Sequence, residues 1–130
     1  VGQFKKIDVY DDFAHHPTAI LSSIIALKNT KSNKKTLSIC QIRSNSMISG
    51  THSSELYKAL GMSDCSIIHY DKKSKVKFHD NKSRNINAFT TDKEISNYIS
   101  KVKGEIDKIL IMSNGNTSSL IKLIKNVAQK

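Results

Sequence analysis

The chain has no tryptophan, a single proline and only two cysteines in 130 residues. Cys40 and Cys65 form no C-x-x-C pair, so the usual zinc and redox spacings are missing. Both fall in stretches that read as strands. They are expected to be reduced thiols packed as small hydrophobes, in a cytoplasmic protein, with a disulfide between them as the alternative. No stretch reaches the roughly 18 consecutive apolar residues of a bilayer span, and Ser22 and Ser23 interrupt the apolar run from Ala19 to Leu27. No basic-then-apolar leader opens the chain; it starts at Val1, as a fragment would. G-x-x-x-x-G-K-[ST] and G-x-G-x-x-G are both absent, so nothing here cradles a triphosphate unaided.

Negative charge is also scarce. The chain carries 21 Lys and Arg against 11 Asp and Glu, a net charge of +10. That excess invites a nucleic-acid reading. Its composition argues against one. Arg43 and Arg84 are the only arginines, the lysines are scattered, and aromatics do not interleave with them as a stacking platform would. Lysine, asparagine and isoleucine share A/T-rich codons, so an AT-rich genome is the simpler cause. Neither nucleic acid nor membrane is expected as a partner.

What is present is a regular alternation. Ile7–Tyr10 reads as a short strand. Pro17 suits the first turn of a helix running to Lys28. Thr36–Ile42 alternates as a strand, Ser53–Leu60 is a short helix ended by Gly61, and Asp64–Tyr70 is a strand. Lys75–Phe78 reads as a short edge strand and Ile86–Phe89 as a further one. Thr91 or Asp92 caps a helix to about Lys103. Lys108–Met112 is an apolar run suited to a buried parallel strand, and Ser118–Ala128 is a final amphipathic helix. One α/β domain follows, Rossmann-like, with a mostly parallel sheet and helices on both faces. Three loops sit at strand carboxyl ends, where open α/β sheets bind ligands: Asp11–Pro17, Arg43–His52 and Ser113–Asn116.

The chemistry-bearing residues lie in those loops. Asp11 and Asp12 end the first strand, and as neighbours they point to different faces. They are not expected to act as one acid–base pair. One can take a ribose diol while the other caps the next helix or holds a neighbour; a solvated turn with a helix-capping acid is the plainer reading. His15 and His16 lack the i, i+4 spacing of two ligands on one helical face, so no metal site is expected. Arg43 stands out in a lysine-rich chain, because its planar fork suits a carboxylate or phosphate; a surface ion pair is the alternative. Ser44, Asn45 and Ser46 beside it supply neutral hydrogen bonds. Ser113 and Asn114 open the last helix, whose amino terminus suits an anion.

The run V-Y-D-D-F-A-H-H-P-T, residues 9 to 18, resembles the start of the carboxyl-terminal domain of the Mur ligases, the ATP-dependent amide-forming enzymes of peptidoglycan assembly. Its D-D-F-A-H-H-P-T form is similar to the branch acting on UDP-N-acetylmuramate. One member of that branch adds L-alanine and carries an H-R-Y-T-R type run after its second strand. Another attaches L-alanyl-γ-D-glutamyl-meso-diaminopimelate during cell-wall recycling and carries P-R-S-N-T-M-K. Ile42-Arg43-Ser44-Asn45-Ser46-Met47 resembles the second. Leu110-Ile111-Met112-Ser113-Asn114-Gly115 is similar to that member's L-x-M-S-N-G-G turn, although Asn116 and Thr117 replace its glycine-rich continuation.

The resemblance implies that residues 1–130 are one Mur ligase carboxyl-terminal domain of a three-domain enzyme. Asp12, with Asp11 beside it, matches the aspartate at the ATP ribose. His15 and Arg43 match positions that hold the carboxylate of the incoming amino acid or peptide. His16, Asn45, Ser113 and Asn114 fall on loops lining that pocket. ATP and Mg²⁺ would be held mainly by a central domain and UDP by an amino-terminal one. The reaction implied is acyl-phosphate formation on the muramoyl carboxylate, then attack by the peptide amine. This domain would position the amine and hold no catalytic residue of its own, so alone it would be inert. The alternatives are the domain of the L-alanine-adding ligase, or a stand-alone α/β module for a small ligand.

Overall fold

Alternating apolar residues and short polar connections build one six-stranded sheet. The computed structural model describes residues 2–4, 6–14, 16–30, 34–42, 53–74, 77–113 and 115–129. In chain order the elements are β1 (Gly2–Phe4), β2 (Ile7–Asp12), α1 (Pro17–Lys28), β3 (Lys35–Gln41), α2 (Ser53–Leu60), β4 (Cys65–His69), a 3₁₀ turn (Lys82–Arg84), β5 (Ile86–Phe89), α3 (Asp92–Val102), β6 (Ile106–Met112) and α4 (Ser118–Ala128). The sheet runs β1-β2-β6-β3-β4-β5. All neighbouring pairs are parallel except β1 with β2, which run antiparallel. The α/β, mostly parallel reading of the sequence therefore holds.

Strand period and helix period explain the layering. Along β3, Leu37 and Ile39 face one way with Ile67, Ile109 and Ile111, where Ile95 and Ile99 of α3 and Leu120 and Ile124 of α4 cover them. Cys40 faces the other way with Ile68, Leu110 and Met112, under Ile20, Ile24 and Leu27 of α1 and Leu56 and Leu60 of α2. These helical residues recur at three- and four-residue spacing, the stripe that a half-buried helix needs. Strands sandwiched this way read as nearly continuous apolar runs, as β6 does.

The crossovers explain which helix goes where. From β2 the chain steps through α1 to β3 and through α2 to β4; it then returns through α3 to β6, between β2 and β3. Right-handed crossovers in opposite directions put their helices on opposite faces. As a result, the chain leaves β2 toward the α1 face and leaves β6 toward the α4 face, although the two strands are neighbours. That divergence opens a crevice at their carboxyl ends.

Local signals hold the elements. Thr91 caps α3 in a capping box with Glu94, its hydroxyl accepting from the Glu94 amide at 3.2 Å. Gly61 follows α2, and a Cβ there would come within 3.1 Å of Cδ of Arg84. Two expectations need correction. Lys77 and Phe78 form no strand; Phe78 is instead buried edge-on against Tyr70, with ring centroids 5.2 Å apart, while residues 75 and 76 lie outside the described residues. The antiparallel β1 was not anticipated. Both cysteines are free and buried, as expected, and burial pushes the Cys40 thiol up to about 12.

Candidate functional site at the ends of β2 and β6

Asp11 and Asp12 do point to opposite faces. Oδ2 of Asp11 accepts a 2.8 Å bond from the Thr117 hydroxyl at the start of α4. Asp12 turns toward α1: Oδ2 accepts from the Ser23 hydroxyl at 2.6 Å and Oδ1 from the Ala14 amide at 3.2 Å. Neither acid caps α1. That role falls to His16, which is exposed, with Nδ1 accepting from the Thr18 amide at 3.4 Å ahead of Pro17.

Ser113 joins this group through the backbone. Its amide donates to the carbonyl of Asp12 at 3.1 Å, extending the β2–β6 ladder by one step. Its hydroxyl, buried with the rest of the residue, accepts from the Gly115 amide at 3.1 Å. Asn116 Oδ1 takes the Ser118 amide at 2.8 Å, so the first free N–H of α4 is already satisfied by the turn. The fold thus brings Asp11, Asp12 and Ser113 together across two neighbouring strand ends. His15, Arg43, Asn45 and Asn114 lie outside the described residues. β3, which leads into Arg43, is the other neighbour of β6, and Cys40 and Asp12 both register with Met112.

Asp12 also lines a groove of about 440 Å³ between β2 and α1, together with Tyr10, Ser23, Leu27 and Leu110. Its lining mixes two aspartates, Asp11 and Asp12, with hydroxyls and apolar surface. A carboxylate has about four lone-pair sites, so two accepted bonds leave Asp12 able to take more. A sugar diol against apolar walls fits such a groove. No group of three or more His, Cys, Asp or Glu side chains gathers among the described residues.

Sequence reading missed the residues that hold these acids. Ser23 was visible only as a break in the apolar run of α1, yet it sits about two turns into the helix, on the side facing Asp12. Thr117 was visible as a departure from a glycine-rich turn. A second groove was missed as well. It measures about 530 Å³, lies at the ends of β3, β4 and β5, and is lined by Gln41, His69, Tyr70, Asp71, Lys72 and Thr90.

No family model matches the chain. Two curated relatives do, and both are UDP-N-acetylmuramate–L-alanyl-γ-D-glutamyl-meso-2,6-diaminoheptandioate ligases. The Haemophilus influenzae enzyme is 29% identical over 88% of this chain, and the Escherichia coli enzyme 39% identical over 48% of it. The chain spans 26% and 14% of their lengths. Among solved structures, a crystallised domain from a candidate ligase of the same name in Haemophilus ducreyi superposes with a TM-score of 0.73 at 27% identity, over 98% of this chain and 95% of that one. A murein peptide ligase from Psychrobacter arcticus shares the fold, with a TM-score of 0.80 at 23% identity, over all of this chain and 29% of that one.

With its mostly parallel sheet and its helices on both faces, the chain is an α/β domain that shares its fold with the crystallised domain of that candidate ligase. Within that class its resemblance runs to murein peptide ligase, and it covers most of the chain.

Proposed function

We propose that the chain is the carboxyl-terminal domain of an ATP-dependent ligase that joins UDP-N-acetylmuramate to L-alanyl-γ-D-glutamyl-meso-diaminopimelate in peptidoglycan recycling. The observation that carries this reading is the meeting of Asp12 and Ser113, from two of the three matched motifs, on adjacent strand ends beside the groove.

In this reading Asp12, fixed by Ser23 and Ala14, receives the ribose hydroxyls of ATP, with Tyr10 and Leu27 as apolar walls. Asp11 ties the β2 end to α4, so that the loops after β2 and β6 keep one spacing. His15, His16, Arg43, Asn45, Ser113 and Asn114 are assigned to the peptide, with Arg43 and His15 on its carboxylate. ATP supplies the activation of the muramoyl carboxylate. Mg²⁺ and the phosphates belong to a central domain. The residues of this chain then work by orientation. Holding an amine against an activated carboxylate can supply several kcal/mol, about 7–11 at most, and closing over the site keeps water from the reactive acyl group. The reading places the reaction in the cytoplasm and leaves the isolated chain without turnover.

The test is phosphate release by the full-length parent with ATP and UDP-N-acetylmuramate, comparing the tripeptide with free L-alanine. Turnover with tripeptide alone is expected. Turnover with L-alanine alone moves the chain to the alanine-adding ligase.

A further inference from the structure

Buried amides normally have both ends bonded. Gln41, the last residue of β3, does not. It is 4% exposed. Its Nε2 lies 3.3 Å from Nδ1 of His69, its register partner at the end of β4. Its Oε1, at the other end of the amide, is buried and has no hydrogen-bond partner among the described residues. A buried carbonyl without a donor bears its full desolvation cost. The second groove, of about 530 Å³, lies at this amide, and His69, Asp71, Lys72 and Thr90 complete its wall. It stands apart from the Asp12 groove, since Gln41 is on the α3 and α4 side of the sheet and Asp12 on the α1 side.

We propose that this groove is a subsite for the nitrogen-bearing end of a ligand, an ammonium or a carboxamide, whose N–H donates to Oε1 of Gln41. The chemistry follows from the acceptor. A carbonyl oxygen accepts only, so a carboxylate or phosphate oxygen there would set lone pairs against lone pairs. Asp71 and Lys72 on the same wall carry opposite charges, so the selection for a nitrogen donor rests on the Gln41 carbonyl. His69 is a positioning residue: by engaging Nε2 it fixes the orientation of the amide. The assignment rests in part on the proposed function. The tripeptide ends in a diaminoheptandioate residue whose second amino group is such a donor; a free amino compound is the other source of the same chemistry.

The test follows the Gln41 side-chain amide by NMR in the ¹⁵N-labelled chain, with its resonances assigned by their loss in Gln41→Met. Four probes are titrated: the tripeptide, the same tripeptide with 2-aminoheptanedioate in third place, free meso-2,6-diaminoheptanedioate, and heptanedioate. The tripeptide is expected to shift the Gln41 amide and to bind about tenfold or more tighter than its analogue lacking the 6-amino group, the loss of one bond to a charged donor. Gln41→Met should erase that preference and Gln41→Glu keep it. A shift with the free diamine and none with the tripeptide upholds the subsite, assigns it to a free amine and removes the peptide from the proposed function. Equal binding of the two peptides, or a Gln41 amide unmoved by either amine, overturns the subsite. If the Ser113 amide still shifts with tripeptide in that case, the proposed function stands without it.

Discussion

The Thr117 hydroxyl donates to Oδ2 of Asp11 at 2.8 Å, joining residues 106 positions apart in the chain. The bond ties the carboxyl end of β2 to the amino end of α4 and leaves Thr117 without a side-chain cap for its own helix. Thr117→Val keeps the shape and removes the bond. It should lower unfolding free energy by about 1.5 kcal/mol, at the low end for a hydrogen bond to a charged group. Urea denaturation of the chain measures this; a midpoint unchanged from the parent would show that the contact carries no stability.

Ser23→Ala tests whether Asp12 must be held. The hydroxyl at 2.6 Å fixes the carboxylate beside the groove, and its loss should cost about 1.5 kcal/mol of stability. In the full-length ligase the proposed role predicts a several-fold rise in KM for ATP with little change in KM for peptide. The two constants rising together would detach Asp12 from the nucleotide.

The capping box on α3 sets a pH dependence. The Thr91 hydroxyl, and then the backbone amides of Thr90 and Thr91, bond to Glu94 and hold its carboxyl below the usual glutamate value. A lowered folded-state value means that this stability is complete above the unfolded glutamate pKa and is lost as pH falls through the folded one. Thr91→Ala should cost about 1 kcal/mol near neutral pH and less in acid. NMR titration of Glu94 in that variant should show its pKa rising toward the ordinary value.

The Cys40 thiol titrates at about 12 because it is wholly buried, and burial raises Cys65 as well. Neither should react with a thiol reagent at pH 8 while the chain is folded, and both should react in denaturant. The linkage runs opposite to that of Glu94. The unfolded chain ionises its thiols first, so this contribution is full below the ordinary thiol value and falls as pH rises from there toward 12. Rapid labelling of native Cys40 would show that the α1 face opens.

The elements that could be read from sequence were those with punctuation at both ends. The proline and lysine bounding α1, the Thr91–Glu94 box of α3 and the turn before Ser118 each carry a local physical cause, and those helices fall where the pattern put them. β1 has three residues, too few to show a period. The segment ending at Phe78 alternates like a strand, but alternation cannot tell a residue that joins a ladder from one that packs on Tyr70. The same limit applies to the site. Asp11, Asp12 and Ser113 stood out because they sit at strand ends. Ser23, Thr117 and the Gln41–His69 pair become partners only through strand order and register, which no local pattern contains.

The place of β6 has a consequence for how the chain is made. β2 and β3 do not touch; β6, the last strand synthesised, is what joins them. A nascent chain halted before Ile106 has its first two parallel strands unpaired with each other and Ile109 and Ile111 absent from the interior. This domain should therefore stay incompletely folded until Ile106–Met112 is available, and close in one late step when it is.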